Sequence, residues 1–74
     1  MEKLIKILEN IKPGVDFNKE HNLISDGILT SFDIVTLIAN LTEEFDIEIT
    51  VKDIVPENFE SIEAIKKLVD SKEE

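Results

Sequence analysis

Seventy-four residues without a cysteine form one domain at most, residues 1–74, and exclude disulfide stapling and zinc–thiolate sites. A single histidine excludes a His-rich metal site, and no apolar run approaches the roughly 20 residues that a membrane-spanning helix needs. The net charge of −9 is concentrated between Asp26 and Glu63, where ten acids face one base, Lys52, so nucleic acid is disfavoured as a partner and a basic protein surface is favoured.

The N-terminus alternates Glu2, Lys3 and Lys6 with apolar residues. It has no signal-peptide core, so a cytoplasmic location and a stand-alone chain are expected. Residues 2–11 have the spacing of an amphipathic helix. Leu4, Ile5, Leu8 and Ile11 form its apolar face with Ile7 on the flank, and Pro13-Gly14 ends it. Residues 12–29 form a long connection that is not polar, because Val15, Phe17, Leu23, Ile24, Ile28 and Leu29 are spread along it. Loops longer than about 12–15 residues are unusual in compact domains and tend to be functional. These apolar residues are expected to pin the loop across the helices. His21, between Glu20 and Asn22, is expected to be exposed.

Residues 31–45 carry the clearest helical pattern. Ile34, Leu37, Ile38, Leu41 and Phe45 make one stripe with Val35 beside it, and Asp33 in the first turn complements the helix dipole. Glu43 and Glu44 sit near the C-terminal end, where negative charge is mildly unfavourable, so an interaction explains them better than stability does. Residues 46–51 alternate strictly and alone resemble a strand. No second strand exists to pair with, and a lone strand is not stable. An extended connector that inserts Ile47, Ile49 and Val51 into the core is expected, then one short helical turn at Val51–Val55 stopped by Pro56. Residues 61–71 form the last helix, with Ser61 as N-cap and Ile62, Ile65, Leu68 and Val69 on the apolar face. Phe59 closes over the end of the core, and residues 71–74 are expected to fray. No internal repeat is apparent.

Chemistry-bearing residues are few. No Cys–His pair and no glycine-rich phosphate loop is present, and nothing in the sequence brings Ser31 and His21 together. Asp53, Glu57 and Glu60 are the nearest approach to a cation site, but they lack EF-hand spacing, so no metal site is expected. No catalytic residue is assigned, and an enzyme is not expected. What stands out is the junction Asp26-Gly27-Ile28-Leu29-Thr30-Ser31. A turn signal leads into two hydroxyl residues where a helix begins. Helix starts carry unpaired N–H groups and partial positive charge, which suit a hydroxyl cap and a phosphate ester alike. Thr30 or Ser31 as a cap, and Ser31 as an attachment point, are both open on this pattern.

The run Asp26-Gly27-Ile28-Leu29-Thr30-Ser31-Phe32-Asp33-Ile34-Val35, continued by Leu37-Ile38, Glu43-Glu44-Phe45-Asp46-Ile47-Glu48-Ile49, Ser61-Ile62 and Ile65, resembles the acyl carrier protein family over nearly the whole chain. The resemblance implies an all-α fold, a small four-helix bundle of the acyl-carrier type with three main helices, one short helical turn and a long first loop. It implies 4′-phosphopantetheine covalently attached to Ser31 by a phosphopantetheinyl transferase. Acyl or aminoacyl cargo would then be held as a thioester for delivery to enzymes of fatty acid, polyketide or related synthesis. Asp33, Glu43, Glu44, Asp46 and Glu48 match the family's recognition helix and would meet basic surfaces on the transferase and on acyl- or aminoacyl-activating enzymes. The carrier is expected to be monomeric.

Acyl chains would enter a cleft among Ile34, Ile38, Leu41, Ile49 and Ile65. Thr30 replaces the Asp that usually precedes the serine, and Thr36 and Thr42 stand where fatty-acid carriers usually have Glu. The segment Ile49–Ile62 is about one residue longer than in those carriers. Its Asp-apolar pair followed by an aromatic residue, together with Ser31-Phe32, is similar to D-alanyl carrier proteins. The alternatives are therefore a D-alanyl or aminoacyl carrier and, more distantly, an unmodified acidic helical interaction module.

Overall fold

The computed structural model describes residues 2–73 as three helices and two single turns of 3-10 helix. Helix α1 spans Glu2–Ile11, α2 spans Ser31–Phe45 and α3 spans Ile62–Lys72, with the 3-10 turns at Val51–Asp53 and Pro56–Asn58. No strand occurs among the described residues. Helix α1 packs against both α2 and α3, and α3 packs against the second 3-10 turn. The first two helices have the boundaries their periodicity implies. The third begins one residue later than expected, because Ser61 caps it by accepting the Ala64 amide, and it runs on to Lys72 rather than fraying at Ser71. Glu74, the last of the residues expected to fray, lies outside the described residues.

The core is wholly apolar among the described residues. Leu8, Leu37, Leu41, Ile62 and Ile65 are fully covered, and Leu4, Ile34, Leu68 and Val69 nearly so. Ile7 belongs to this core, while Ile5 and Ile11 are only half-buried. The buried face of α1 is therefore Leu4-Ile7-Leu8, centred one position away from the expected stripe, because α1 is covered by two helices rather than one. A domain of this size buries only about 60% of its unfolded surface, so the connections must contribute as well. Phe17, Leu23 and Leu29 of the first loop are buried, and Phe59 closes the core at 1% exposure. Ile47 is buried and Ile49 half-buried, as the alternation requires, but Val51 is 85% exposed. The chain leaves extended geometry at Thr50, so Val51 turns outward as the first residue of a 3-10 turn. Pro56 does not end a helical turn. It opens the second one, at a first position where its missing N–H removes no hydrogen bond.

Asp46, at the end of α2, adopts left-handed geometry (φ 53°). Aspartate tolerates that geometry better than most residues, and the bend returns Ile47 to the core. Gly27 has φ 73° in the turn before α2, a conformation that costs glycine little.

Three carboxylates tie the connections down. Glu60 accepts the Ile24 amide (2.9 Å), the Ser25 amide (3.0 Å) and the Ser25 hydroxyl, while its carbonyl accepts the Leu23 amide at 2.8 Å. Asp33 pairs with Lys12 at 3.0 Å, and Asp53 with Lys72 at 2.7 Å. Each is held below the usual carboxylate range. The Thr30 amide is the main cause for Asp33, the Lys72 ammonium for Asp53 and the Ser25 hydroxyl for Glu60. In the unfolded chain these groups revert to about 4, so on acidification the unfolded state takes up protons first. Their stabilisation is complete above about pH 5 and is lost as pH falls through 4 toward the lower folded values. Urea midpoints measured between neutral pH and pH 3 should therefore decline. Asp53→Asn should lower the neutral-pH midpoint and make the acid decline shallower.

Candidate functional site

The N-terminus of α2 is closed by Thr30, not by Ser31. Thr30 is extended (φ −90°, ψ 173°), and its hydroxyl accepts the Asp33 amide at 3.2 Å. Asp33 answers with one oxygen, Oδ2, which accepts the Thr30 amide at 2.9 Å and the Thr30 hydroxyl at 3.0 Å. This reciprocal arrangement satisfies helix-start donors that would otherwise be unpaired. Lys12, from the start of the first loop, reaches the same Oδ2 and neutralises it.

With the cap supplied by its neighbour, Ser31 is released from structural duty. It is the first residue of α2, it is exposed, and its hydroxyl makes no hydrogen bond to another described residue. Next to it runs an open groove of about 300 Å³. Ser31, Ile34, Val35 and Ile38 line one side, with Ile24, Ile54, Val55, Pro56 and Phe59 opposite. No charged side chain lines it. The expected cleft through Leu41 and Ile65 does not form, because both are fully covered in the core. Apolar space instead opens on the outer side of α2, toward the 3-10 turns. The Glu60 clasp positions two of its walls, since Ile24 donates directly to Glu60 and Phe59 precedes it.

The five acids expected at a docking face divide into two groups. Asp33 is in the cap beside Ser31 and is paired with Lys12. Glu43, Glu44, Asp46 and Glu48 lie at and beyond the far end of α2. Twelve residues at about 1.5 Å each put Glu43 roughly 18 Å from Ser31 along the helix. Of these, Glu44 lies 3.8 Å from Lys3, whose ammonium also sits over the Phe45 ring at 5.5 Å. Glu43, Asp46 and Glu48 are exposed and make no ion pair with another described residue. Of the three carboxylates considered for a cation, Asp53 is engaged with Thr50 and Lys72 and Glu60 with Ser25, while Glu57 is exposed. No group of three metal-ligating side chains occurs among the described residues. His21 is exposed, 3.7 Å from Glu63 and remote in sequence from Ser31.

The surface of the site was less legible than its serine. Val35 counted as a flank of the apolar stripe, yet it is 68% exposed, and Phe32 is 70% exposed. Thr30-Ser31-Phe32-Asp33-Ile34-Val35 is echoed by Thr50-Val51-Lys52-Asp53-Ile54-Val55. In both copies the Thr amide and hydroxyl donate to the Asp, and a distant lysine pairs with that Asp. A short repeat is thus present where none was expected.

Three helices, a long first loop, short 3-10 turns and a serine opening the second helix make a bundle of the acyl-carrier type. Aminoacyl carrier protein 1 of Bradyrhizobium diazoefficiens is 40% identical over 68 residues, which span 90% of this chain and 74% of that protein. The chain belongs to the carrier protein family. No protein-family model matches the sequence, and no solved structure matches it. No described helix is long and apolar enough to cross a membrane.

The cap gives a direct test. Thr30→Ala removes the side-chain acceptor of the Asp33 amide and should lower stability by about 1 kcal/mol in urea unfolding. Thr30→Ser keeps the oxygen and should stay close to the unsubstituted chain.

Proposed function

We propose that the chain is a carrier whose Ser31 hydroxyl bears 4′-phosphopantetheine and which presents acyl or aminoacyl cargo to enzymes acting in trans. The observation that carries this reading is the free, exposed Ser31 hydroxyl at the first position of α2, in a chain of the carrier family. The residues suit such a group. A phosphodiester on Ser31 would lie at the positive end of α2. The acid nearest in sequence, Asp33, is already neutralised by Lys12, and open space adjoins the hydroxyl. Attachment would proceed by attack of the Ser31 oxygen on the phosphorus of a phosphoanhydride donor of the arm. The new P–O bond replaces the bridging P–O bond of the anhydride, the remaining phosphate leaves, and the hydroxyl proton passes to a base on the transferase.

When attached, the arm supplies a thiol that holds cargo as a thioester on a flexible tether. The chain's own part is to display that tether and to dock weakly and reversibly, which suits a shuttle. Chemistry on the cargo falls to partner enzymes, because the site offers no acid, base or nucleophile beside Ser31 other than the committed Asp33.

The name of the relative, an aminoacyl carrier protein, favours aminoacyl cargo. An α-ammonium would be costly to bury against Ile34, Ile38 and Phe59 without a partner, so an aminoacyl group would stay in solvent, available for transfer. Fatty-acyl cargo is the second reading, favoured by the same apolar groove, which could shelter part of a chain. The exposed acids Glu43, Asp46 and Glu48, with Glu44, would contribute long-range attraction to basic partner surfaces.

Co-expression with a phosphopantetheinyl transferase should raise the intact mass by one phosphopantetheine, and Ser31→Ala should abolish the gain. No gain in the unsubstituted chain, or a gain that persists in Ser31→Ala, overturns the carrier reading. Incubating the loaded protein with adenylating enzymes and amino or fatty acids, read by mass, then assigns the cargo.

A further inference from the structure

Of the residues lining the groove beside Ser31, only Ile34 and Phe59 are buried, and both also belong to the hydrophobic core. They form the floor of the groove. Ile34 is fixed within α2. Phe59 stands outside any helix, between the second 3-10 turn and the N-cap of α3, so its position rests on its neighbours. Its amide donates to the Pro56 carbonyl at 2.9 Å, and the next residue is Glu60.

Glu60 fastens this point to the first loop through its backbone and its side chain. Its carbonyl accepts the Leu23 amide at 2.8 Å. Its carboxylate accepts the Ile24 amide at 2.9 Å, the Ser25 amide at 3.0 Å and the Ser25 hydroxyl. Ile24 is itself a groove wall. Asp33 and Asp53 each pair with a lysine, but Glu60 makes no ion pair among the described residues. Its carboxylate is given over to the loop that forms one side of the groove.

We infer that Glu60 limits the depth of the groove, and thereby the length of apolar cargo the chain can shelter. This makes it a specificity-determining residue, an inference that rests on the carrier reading above. With the clasp made, Ile24 and Phe59 are held together, and Leu41 and Ile65 stay fully covered in the core. A short acyl chain on the arm finds apolar wall along Ile34 and Ile38. Methylenes beyond that length stay in water and gain nothing from burial. An aminoacyl group gains nothing at any depth, because its ammonium would be desolvated without a partner. Without the carboxylate, the Leu23 bond still joins the two segments, but Ile24 and Phe59 can separate and a longer chain can follow Ile38 inward.

The test loads Ser31 with a phosphopantetheinyl transferase, using donors whose thiol already bears acetyl, butanoyl, octanoyl or dodecanoyl, with alanyl as the polar control. Each product is followed by intact mass and urea unfolding. In the unsubstituted chain the urea midpoint should rise with chain length as far as octanoyl and no further with dodecanoyl, and alanyl should add nothing. Glu60→Ala should lower every midpoint and make dodecanoyl more stabilising than octanoyl. A residue that served stability alone would lower the midpoints and leave the length limit unmoved. Glu60→Gln keeps the oxygen that accepts both amides and should restore the limit of the unsubstituted chain. Ser25→Ala, at an exposed position, removes the hydroxyl donor with Glu60 in place, and should move the limit in the same direction by less. The inference is overturned if the limit stays unmoved in both Glu60→Ala and Ser25→Ala, or if the unsubstituted chain gains stability at every step to dodecanoyl. Either result is read on loaded protein and leaves the carrier reading intact. An unsubstituted chain that never gains mass removes the carrier reading and this inference together.

Discussion

Glu60 reaches from the approach to α3 across to the first loop, where its carboxylate accepts two amides and a hydroxyl from Ile24 and Ser25. The geometry around Ser31 depends on this contact. A helical bundle of this size has too little core to fix a long loop by burial alone. Phe17, Leu23 and Leu29 supply anchors, but Ile24 is only half-buried and would be free to shift without the clasp. Because Phe59 precedes Glu60 in the chain, one interaction sets two walls of the groove. The Asp33–Lys12 and Asp53–Lys72 pairs do comparable work at the other connections. Exposed ion pairs contribute only about 0–1 kcal/mol each. These are partly covered and are joined to threonine amides and hydroxyls, so they act as small networks rather than isolated pairs.

The helices were legible because their signals are local. A 3.6-residue apolar period, a threonine followed three residues later by aspartate, and a serine before Ile62 each act within a turn or two of chain. Ser31 was legible for the same reason, as the residue after the cap. The contacts that were not legible join segments far apart in sequence. Nothing in the sequence near Lys12, Lys72 or Glu60 names Asp33, Asp53 or Ser25 as the partner. Val51 departs from the alternation because a period of two assigns a face only while the chain stays extended, and the chain turns after Thr50. Val35, beside the apolar stripe of α2, is 68% exposed and lines the groove, because the 3-10 segment stands off from that side of the helix.

Charge also reads differently once partners are assigned. The excess of acid between Asp26 and Glu63 suggests a uniformly anionic face. In the folded chain Asp33 and Asp53 are paired with lysines, while Glu43, Asp46 and Glu48 at the distal end of α2 are exposed without such partners. The apolar groove beside Ser31 and the exposed acids at the far end of α2 are thus built from different residues.

The echoed hexapeptide has a consequence for stoichiometry. In both copies the threonine amide and hydroxyl donate to the aspartate, and the first helical positions are Ser31 in one and Val51 in the other. A modifying enzyme that recognised only the local turn would encounter two similar addresses on one small protein. At that first helical position just one of them offers an oxygen. Valine at the second makes attachment there impossible by atomic composition rather than by discrimination.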